Sequence, residues 1–379
     1  MSQSTDPDHF FQTTNSIEET NRKALKSKNN HGKPLKLPSK LLAITLDPTN
    51  NGRVFVAESA GTVRRVVLET GEKSHIYRGP TAPLTCVALS PDTRTVFAGC
   101  WDKTIWSWAT DSRAARRKYT GHTDFVKTVL CLRIGAEDLL VSGGADASII
   151  VWNVTTGAKL HTLKGHTRGI QALVVDAVAS VPDASAATIF SAGSDREIRR
   201  WRIGLESAAE IEGTDPIIAH ETSVYKVLFD ADDDLWTASA DGTVKCLVRD
   251  SGWKAETTLP HPDFARDVVV DERGGWVVTV CRDEEVRVWN RAAGELHHTF
   301  SGHYEEVTGL VLVGQMVVSV SIDATLRQWS LKPEDLQKAK VAQEEAEEGV
   351  VKEKQAPGKT PLVTEDEERE LAELMDDNE

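Results

Sequence analysis

Short apolar runs separated by turn residues fill the middle of the chain. Runs such as Leu139 to Ser142, Ile149 to Trp152 and Val277 to Val280 are bounded by Gly, Asp or Asn, and the last two are rich in β-branched side chains. That pattern predicts strands, without requiring strict alternation. No helical period of useful length interrupts them. The ends read differently. The first stretch, to about His31, is polar, with one helix start in the capping-box pattern Ser16-Ile17-Glu18-Glu19. Residues 1–32 are therefore expected to be mostly disordered with one short helix. From Pro333 onward there are few large apolar residues and many Glu, Ala and Lys, too little buried surface to offset chain entropy. Residues 332–379 are expected to form an acidic, partly helical tail.

The strands recur in phase. Aligning Asp102, Asp146, Asp195, Asp241, Asp283 and Asp323 places a Trp six residues on in five of six cases (Trp108, Trp152, Trp201, Trp289 and Trp329), with Leu247 in the other. Four residues before the Asp stands Ser142, Ser191, Thr237, Thr279 or Ser319, and further upstream lies His122, His166, His220, His261 or His303. Successive aspartates are 44, 49, 46, 42 and 40 residues apart, which matches a four-stranded propeller blade of roughly 40 to 45 residues. A seventh, degenerate unit precedes Asp102, with Ala60 and Val66 at the Asp and Trp positions. The unit ending at Trp329 lacks an outer strand, and Pro34 to Pro38 is the natural donor that would close the ring and cover the open edge.

Over about Lys33 to Leu331 the chain resembles the WD-repeat β-propeller family. Gly121-His122, Gly165-His166, Gly302-His303, the repeated Asp, and the Trp of Val151-Trp152-Asn153 and Val288-Trp289-Asn290 carry the match. The resemblance implies an all-β, seven-bladed propeller over 33–331. It also implies that each His, hydroxyl, Asp and Trp form a buried hydrogen-bonded tetrad: His122, Ser142, Asp146 and Trp152; His166, Ser191, Asp195 and Trp201; His220, Thr237 and Asp241 without the Trp; His261, Thr279, Asp283 and Trp289; His303, Ser319, Asp323 and Trp329. Read alone, His122, Ser142 and Asp146 are the residue types of a nucleophilic triad, but an active site is built once and this set recurs in five blades. Gly-x-Gly-x-x-Gly, Gly-x-x-x-x-Gly-Lys-Ser/Thr, His-Glu-x-x-His and Gly-x-Ser-x-Gly are all missing. No catalytic residue, cofactor or metal site is assigned.

In the family, partner peptides are gripped just after the His loop and just before the blade Asp. Mapped by position, this implies a top-face binding set of Trp101, Phe125, Lys127, Tyr225, Phe264, Arg266 and Arg282, with Gln171, Ser194 and Ile322 at equivalent places. Aromatics and Arg at such positions suit partner recognition, and Lys127, Arg266 and Arg282 suit an acidic or phosphorylated peptide. The expected function is a non-catalytic scaffold or adaptor, with other proteins of a multi-protein complex as partners and a monomeric propeller. Two other readings stand beside it. A ubiquitin-ligase substrate receptor is disfavoured by the missing Trp-Asp-x-Arg. A ribosome-assembly or RNA-associated factor rests on two basic runs, Arg113, Arg116, Arg117 and Lys118, and Arg196, Arg199, Arg200 and Arg202.

Charge sharpens this picture. The 379 residues carry 44 Lys+Arg against 58 Asp+Glu, net -14, which disfavours general nucleic-acid binding. The tail from Lys332 holds 16 acids and 7 bases, whereas Met1 to Lys40 is net +3. Thr364-Glu365-Asp366-Glu367 opens a second capping-box segment with Leu371, Leu374 and Met375 on one helical face, suited to a partner's groove or to the basic mouth. Five scattered cysteines without a C-x-x-C pair read as reduced apolar residues, and no run of about 18 apolar residues occurs. The expected setting is cytoplasm or nucleus, with no membrane contact.

Overall fold

A computed structural model of the chain describes residues 14–179 and 185–343. Its contacts divide into two compact units, Met1–Pro333 and Glu334–Glu379. Residues 334–343 are helical. Leu371, Leu374 and Met375 lie outside the described residues.

The first unit is a ring of seven antiparallel four-stranded sheets. Blades 1 to 6 span 41–77, 84–120, 126–164, 170–210, 224–260 and 265–301, and blade 7 is built from 307–330 plus an N-terminal strand. The second strand of a blade packs on both faces, so Thr95–Cys100 is buried throughout, as are the last six residues of Glu137–Gly144. This is why those segments read as continuous apolar runs rather than alternating ones. The innermost strands, such as Leu84–Leu89 and Val224–Phe229, bury only every third residue fully and leave the rest half-buried. The core lies between adjacent blades. Trp201 and Ile203 of blade 4 pack with Leu139 and Val151 of blade 3, and Tyr77 of blade 1 packs with Trp108 of blade 2. Close approach depends on glycine at Gly143, where a Cβ would come within 2.6 Å of Ile170 in the next blade.

The donor strand falls where the missing edge predicts. Leu35–Lys36 pairs antiparallel with Thr325–Ser330, Leu35 opposite Leu326 and Lys36 opposite Thr325. Gln328 N–H also donates to Gly32 C=O at 2.7 Å. Arg327, 1% exposed, donates from Nη1 to His31 C=O and from Nη2 to Asn29 C=O at 3.3 Å, and so pins the entering chain. Leu37 follows the strand into the blade 7/blade 1 core beside Leu41, Val66 and Leu326. Because this seam joins the two ends of the ring, Leu37→Ala is expected to cost about 2–4 kcal/mol, read as a fall in the urea midpoint; an unchanged midpoint would show that the seam contributes little to ring stability.

The N-terminal stretch contains the one short helix that its capping-box pattern suggested. Helix α1, Thr14–Lys26, starts two residues before the Ser16 signal and ends with Lys23 and Lys26 in its last turn, where cations favour the helix dipole.

Candidate functional site

The loops of one face are tied down by the tetrads. In blade 3, His122 Nδ1 is 3.1 Å from Asp146, His122 Nε2 is 2.8 Å from Ser142 Oγ, and Trp152 Nε1 donates to the same hydroxyl at 2.9 Å. The carboxylate places the ring proton on Nδ1, which leaves Nε2 to accept from the hydroxyl. Blades 4 and 7 repeat this with His166, Ser191, Asp195 and Trp201 and with His303, Ser319, Asp323 and Trp329, at 2.7–3.0 Å. Blade 5 keeps His220, Thr237 and Asp241, with both contacts of the ring at 2.8 Å.

Blade 6 differs. His261 Nε2 meets Thr279 at 2.7 Å and Trp289 donates to that hydroxyl, but His261 Nδ1 faces its own Leu259 C=O at 3.1 Å. Asp283, expected in this tetrad, is instead clasped by Arg287, four residues on in the following strand. The Arg287 guanidinium takes both carboxylate oxygens, so Asp283 has no need of the imidazole. Blades 1 and 2 use other devices. Glu58 pairs with buried Arg64 at 2.7 Å in blade 1; in blade 2, Asp102 receives Trp106 Nε1 at 3.2 Å and pairs with Lys118, while Trp108 donates to Arg78 C=O at 2.8 Å.

Burial, joined by the Arg287 charge, lowers the His261 pKa to about 4, and burial also lowers those of His122 and His303. The unfolded chain takes up these protons at about pH 6.5. Stability from the neutral rings is therefore complete above that pH and is lost as the pH falls through about 4, where His261 protonates in the folded state. The urea midpoint is expected to drop between neutral pH and the pH 6.5-to-4 window, and His261→Asn to flatten that slope; an unaltered slope would contradict the assignment.

These loops frame a cavity of about 400 Å³ at the centre of the ring. Of the residues singled out by position, Trp101, Lys127, Gln171, Tyr225 and Arg266 line it. Phe125, Phe264 and Arg282 do not line it. Trp101, 45% exposed, stacks on Phe125 with ring centroids 5.2 Å apart and 17° between planes. Arg266 lies 4.3 Å over the Tyr225 ring, and Arg282 5.4 Å over Phe264. The mouth is less positive than its sequence suggests. Arg266 pairs with Glu306 at 2.7 Å, Arg282 lies 4.0 Å from Asp263, and Lys226 pairs with Asp267. Lys127 is different: among the described residues no carboxylate is paired with it, and burial followed by the Arg266 charge lowers its pKa. Gln171 turns aside to donate to Ser194 at 2.7 Å.

Several basic-run residues are used internally. Arg116 donates to Thr95, Arg117 to the Thr155 and Thr156 carbonyls, and Arg199 binds Glu197 and Glu210. Among the described residues two groupings have metal-ligand residue types, His166/Asp195/Glu197 and Asp230/Asp234/Cys246; in the first, His166 Nδ1 faces Asp195 and Nε2 faces Ser191, and in the second, Asp230 accepts from Trp236 and pairs with Arg291. Burial raises the Cys86, Cys100 and Cys281 thiols to about 11 and Cys246 to about 12, which makes them poor nucleophiles.

Comparison with known proteins agrees with this architecture. The family model described as WD domain, G-beta repeat matches residues 71–109, 114–153, 214–246 and 294–330. An uncharacterised WD repeat-containing protein of Schizosaccharomyces pombe is 35% identical over 87% of this chain and 90% of its own length. The nuclear distribution protein PAC1 of Arthroderma benhamiae is 25% identical over 70% of the chain and 53% of its own length. The tRNA (guanine-N(7)-)-methyltransferase non-catalytic subunit wdr4 of Danio rerio is 25% identical over 52% of the chain and 48% of its own length. The chain thus spans about half the length of these last two relatives.

Proposed function

The chain belongs to the WD-repeat β-propeller family, and from that premise we propose that it is a non-catalytic interaction scaffold whose channel mouth binds an acidic or phosphorylated peptide of a partner within a multi-protein complex. The observation that carries this reading is an exposed aromatic stack, Trp101 on Phe125, beside the half-buried Lys127, with which no carboxylate is paired among the described residues. Stacked rings supply large apolar area at little cost in side-chain freedom. An ammonium held away from water next to a second cation, Arg266, favours an incoming anion, and a phosphate monoester offers more charge and more acceptor oxygens than a carboxylate. The blade 3 tetrad holds the loop that presents Phe125 and Lys127, so a partner meets a partly preformed surface there. The description of the Danio rerio relative as a non-catalytic subunit fits a supporting role of this kind. Arg199 is paired with Glu197 and Glu210, and Lys118 with Asp102, which weakens the RNA-associated reading at those two positions only.

Affinity purification of the full chain, compared with a Lys127→Glu/Arg266→Glu form of equal unfolding midpoint, tests this. Loss of partners from the charge-reversed form is the expected result. Retention of every partner would sink the assignment of the mouth.

A further inference from the structure

Helix α1 is fastened to the face that carries the channel mouth, and it is fastened by charge. Arg22 directs both terminal nitrogens onto the Glu284 carboxylate at 2.7 and 2.8 Å. Lys26 reaches Glu284 at 2.9 Å and Glu285 at 2.6 Å, and Lys23 lies 3.1 Å from both oxygens of Glu305. The acids come from two neighbouring places: Glu284 from the turn that also holds Arg282, with Glu285 opening the strand after it, and Glu305 from the loop that holds Glu306, the partner of Arg266. The three carboxylates form a ridge next to the mouth, matched by cations at i, i+1 and i+4 of one helix.

What covers this ridge is weaker than what lies beneath. Glu284 is 4% exposed, whereas Leu25 is 71% exposed and Ala24 is exposed too; of the described side chains of α1, only Lys23 and Lys26 are half-buried. The helix therefore has no apolar anchor among them. A 13-residue helix is marginal by itself. The pairs of Arg22 with Glu284 and of Lys23 with Glu305 are partly open to water; pairs of that kind contribute about 0.2–1 kcal/mol each and weaken over a Debye length of about 8 Å at physiological salt, whereas Lys26 with Glu284 and Glu285 is the more buried part of the contact, which a displacing cation has to replace. The sheets do not depend on these contacts, so α1 is expected to open before they do.

We propose that the Glu284/Glu285/Glu305 ridge is a docking surface for a basic helix of a partner protein, and that α1 is its resident occupant. A partner helix with cations at the same spacing makes the same contacts, and one that adds an apolar contact displaces α1. The ridge takes cations whereas the mouth takes an anion, so the two sites stand or fall separately.

A fluorescein-labelled synthetic peptide of residues 14–28 is the probe, followed by fluorescence anisotropy with the full chain. In a full chain bearing Arg22→Glu, Lys23→Glu and Lys26→Glu the resident helix no longer seats, and the peptide is expected to bind at least about tenfold more tightly than to the unaltered chain. That binding should weaken about tenfold or more between roughly 0.05 and 0.5 M salt, and it should vanish when Glu284→Gln, Glu285→Gln and Glu305→Gln are added to the same chain. Circular dichroism and the urea midpoint verify that each form is folded. Hydrogen exchange on the unaltered chain supplies a second readout: the α1 amides should lose protection at high salt while the strand amides keep theirs. Equal binding to the two chains, no binding to the charge-reversed chain, binding that survives neutralisation of the ridge, or α1 protection as strong and salt-resistant as that of the strands would each overturn the proposal.

Discussion

Exchange of His303 for alanine is expected to lower the unfolding free energy by about 3 kcal/mol. The ring is fully buried between Ser319, Thr325 and Asp323, and the Asp323 side chain has no exposed surface. Removing the imidazole leaves a cavity, strips the Ser319 hydroxyl of one partner while Trp329 still donates to it, and leaves the carboxylate with fewer donors. Asp323 keeps the Thr325 and Tyr304 contacts, which is why the loss stays at the low end for breaking a buried pair. The corresponding exchange in blade 6 should cost less, about 1–2 kcal/mol, because Asp283 is held by Arg287 and not by His261. Urea unfolding of the two variants side by side measures the contrast. Equal losses would mean that the Asp283–Arg287 pair does not substitute for the imidazole.

Replacement of Trp101 and Phe125 by alanine is the second large effect, and it should appear in binding rather than stability. Trp101 is 45% exposed and rests on Phe125, so little core is disturbed. Buried at an interface, an aromatic anchor of this size contributes about 2 kcal/mol or more when truncated, which is roughly a thirtyfold loss of affinity. Partner retention in a pull-down at matched concentration should fall accordingly while the urea midpoint moves little. A pair whose removal lowers stability but leaves partner retention intact would be packing, not a contact surface.

Much of the fold was legible because a propeller repeats its chemistry. One Asp-to-Trp interval recurring at blade length revealed the ring even where single blades drift, and the missing fourth strand after Trp329 pointed to the chain that closes it, Leu35–Lys36. The same phase brought out the His, hydroxyl, Asp and Trp positions, and the family resemblance implied that they bond as tetrads. Their exception did not follow, since a His and an Asp in the right register need not meet when Arg287, four residues along, competes for the carboxylate. Trp108 shares the Trp position but donates to Arg78 C=O, because blade 2 has no His and hydroxyl to receive it. At the mouth, residue types were readable while charge balance was not. Glu306 and Asp263 sit in loops whose contacts with Arg266 and Arg282 depend on how neighbouring blades meet. The seating of α1 was least legible of all. Its partners are about 260 to 280 residues away in sequence, and no local pattern encodes a contact across that separation.

Site-specific photo-crosslinking tests the central claim most directly. A photoreactive phenylalanine analogue placed at Trp101 preserves an aromatic ring at the mouth, and one placed at exposed Arg273, in the turn between the first two strands of blade 6, reports on the opposite end of the ring. A scaffold that binds through its channel mouth yields partner crosslinks from position 101 that disappear with Lys127→Glu, and none from position 273. Crosslinks to the partner from position 273 alone would contradict it.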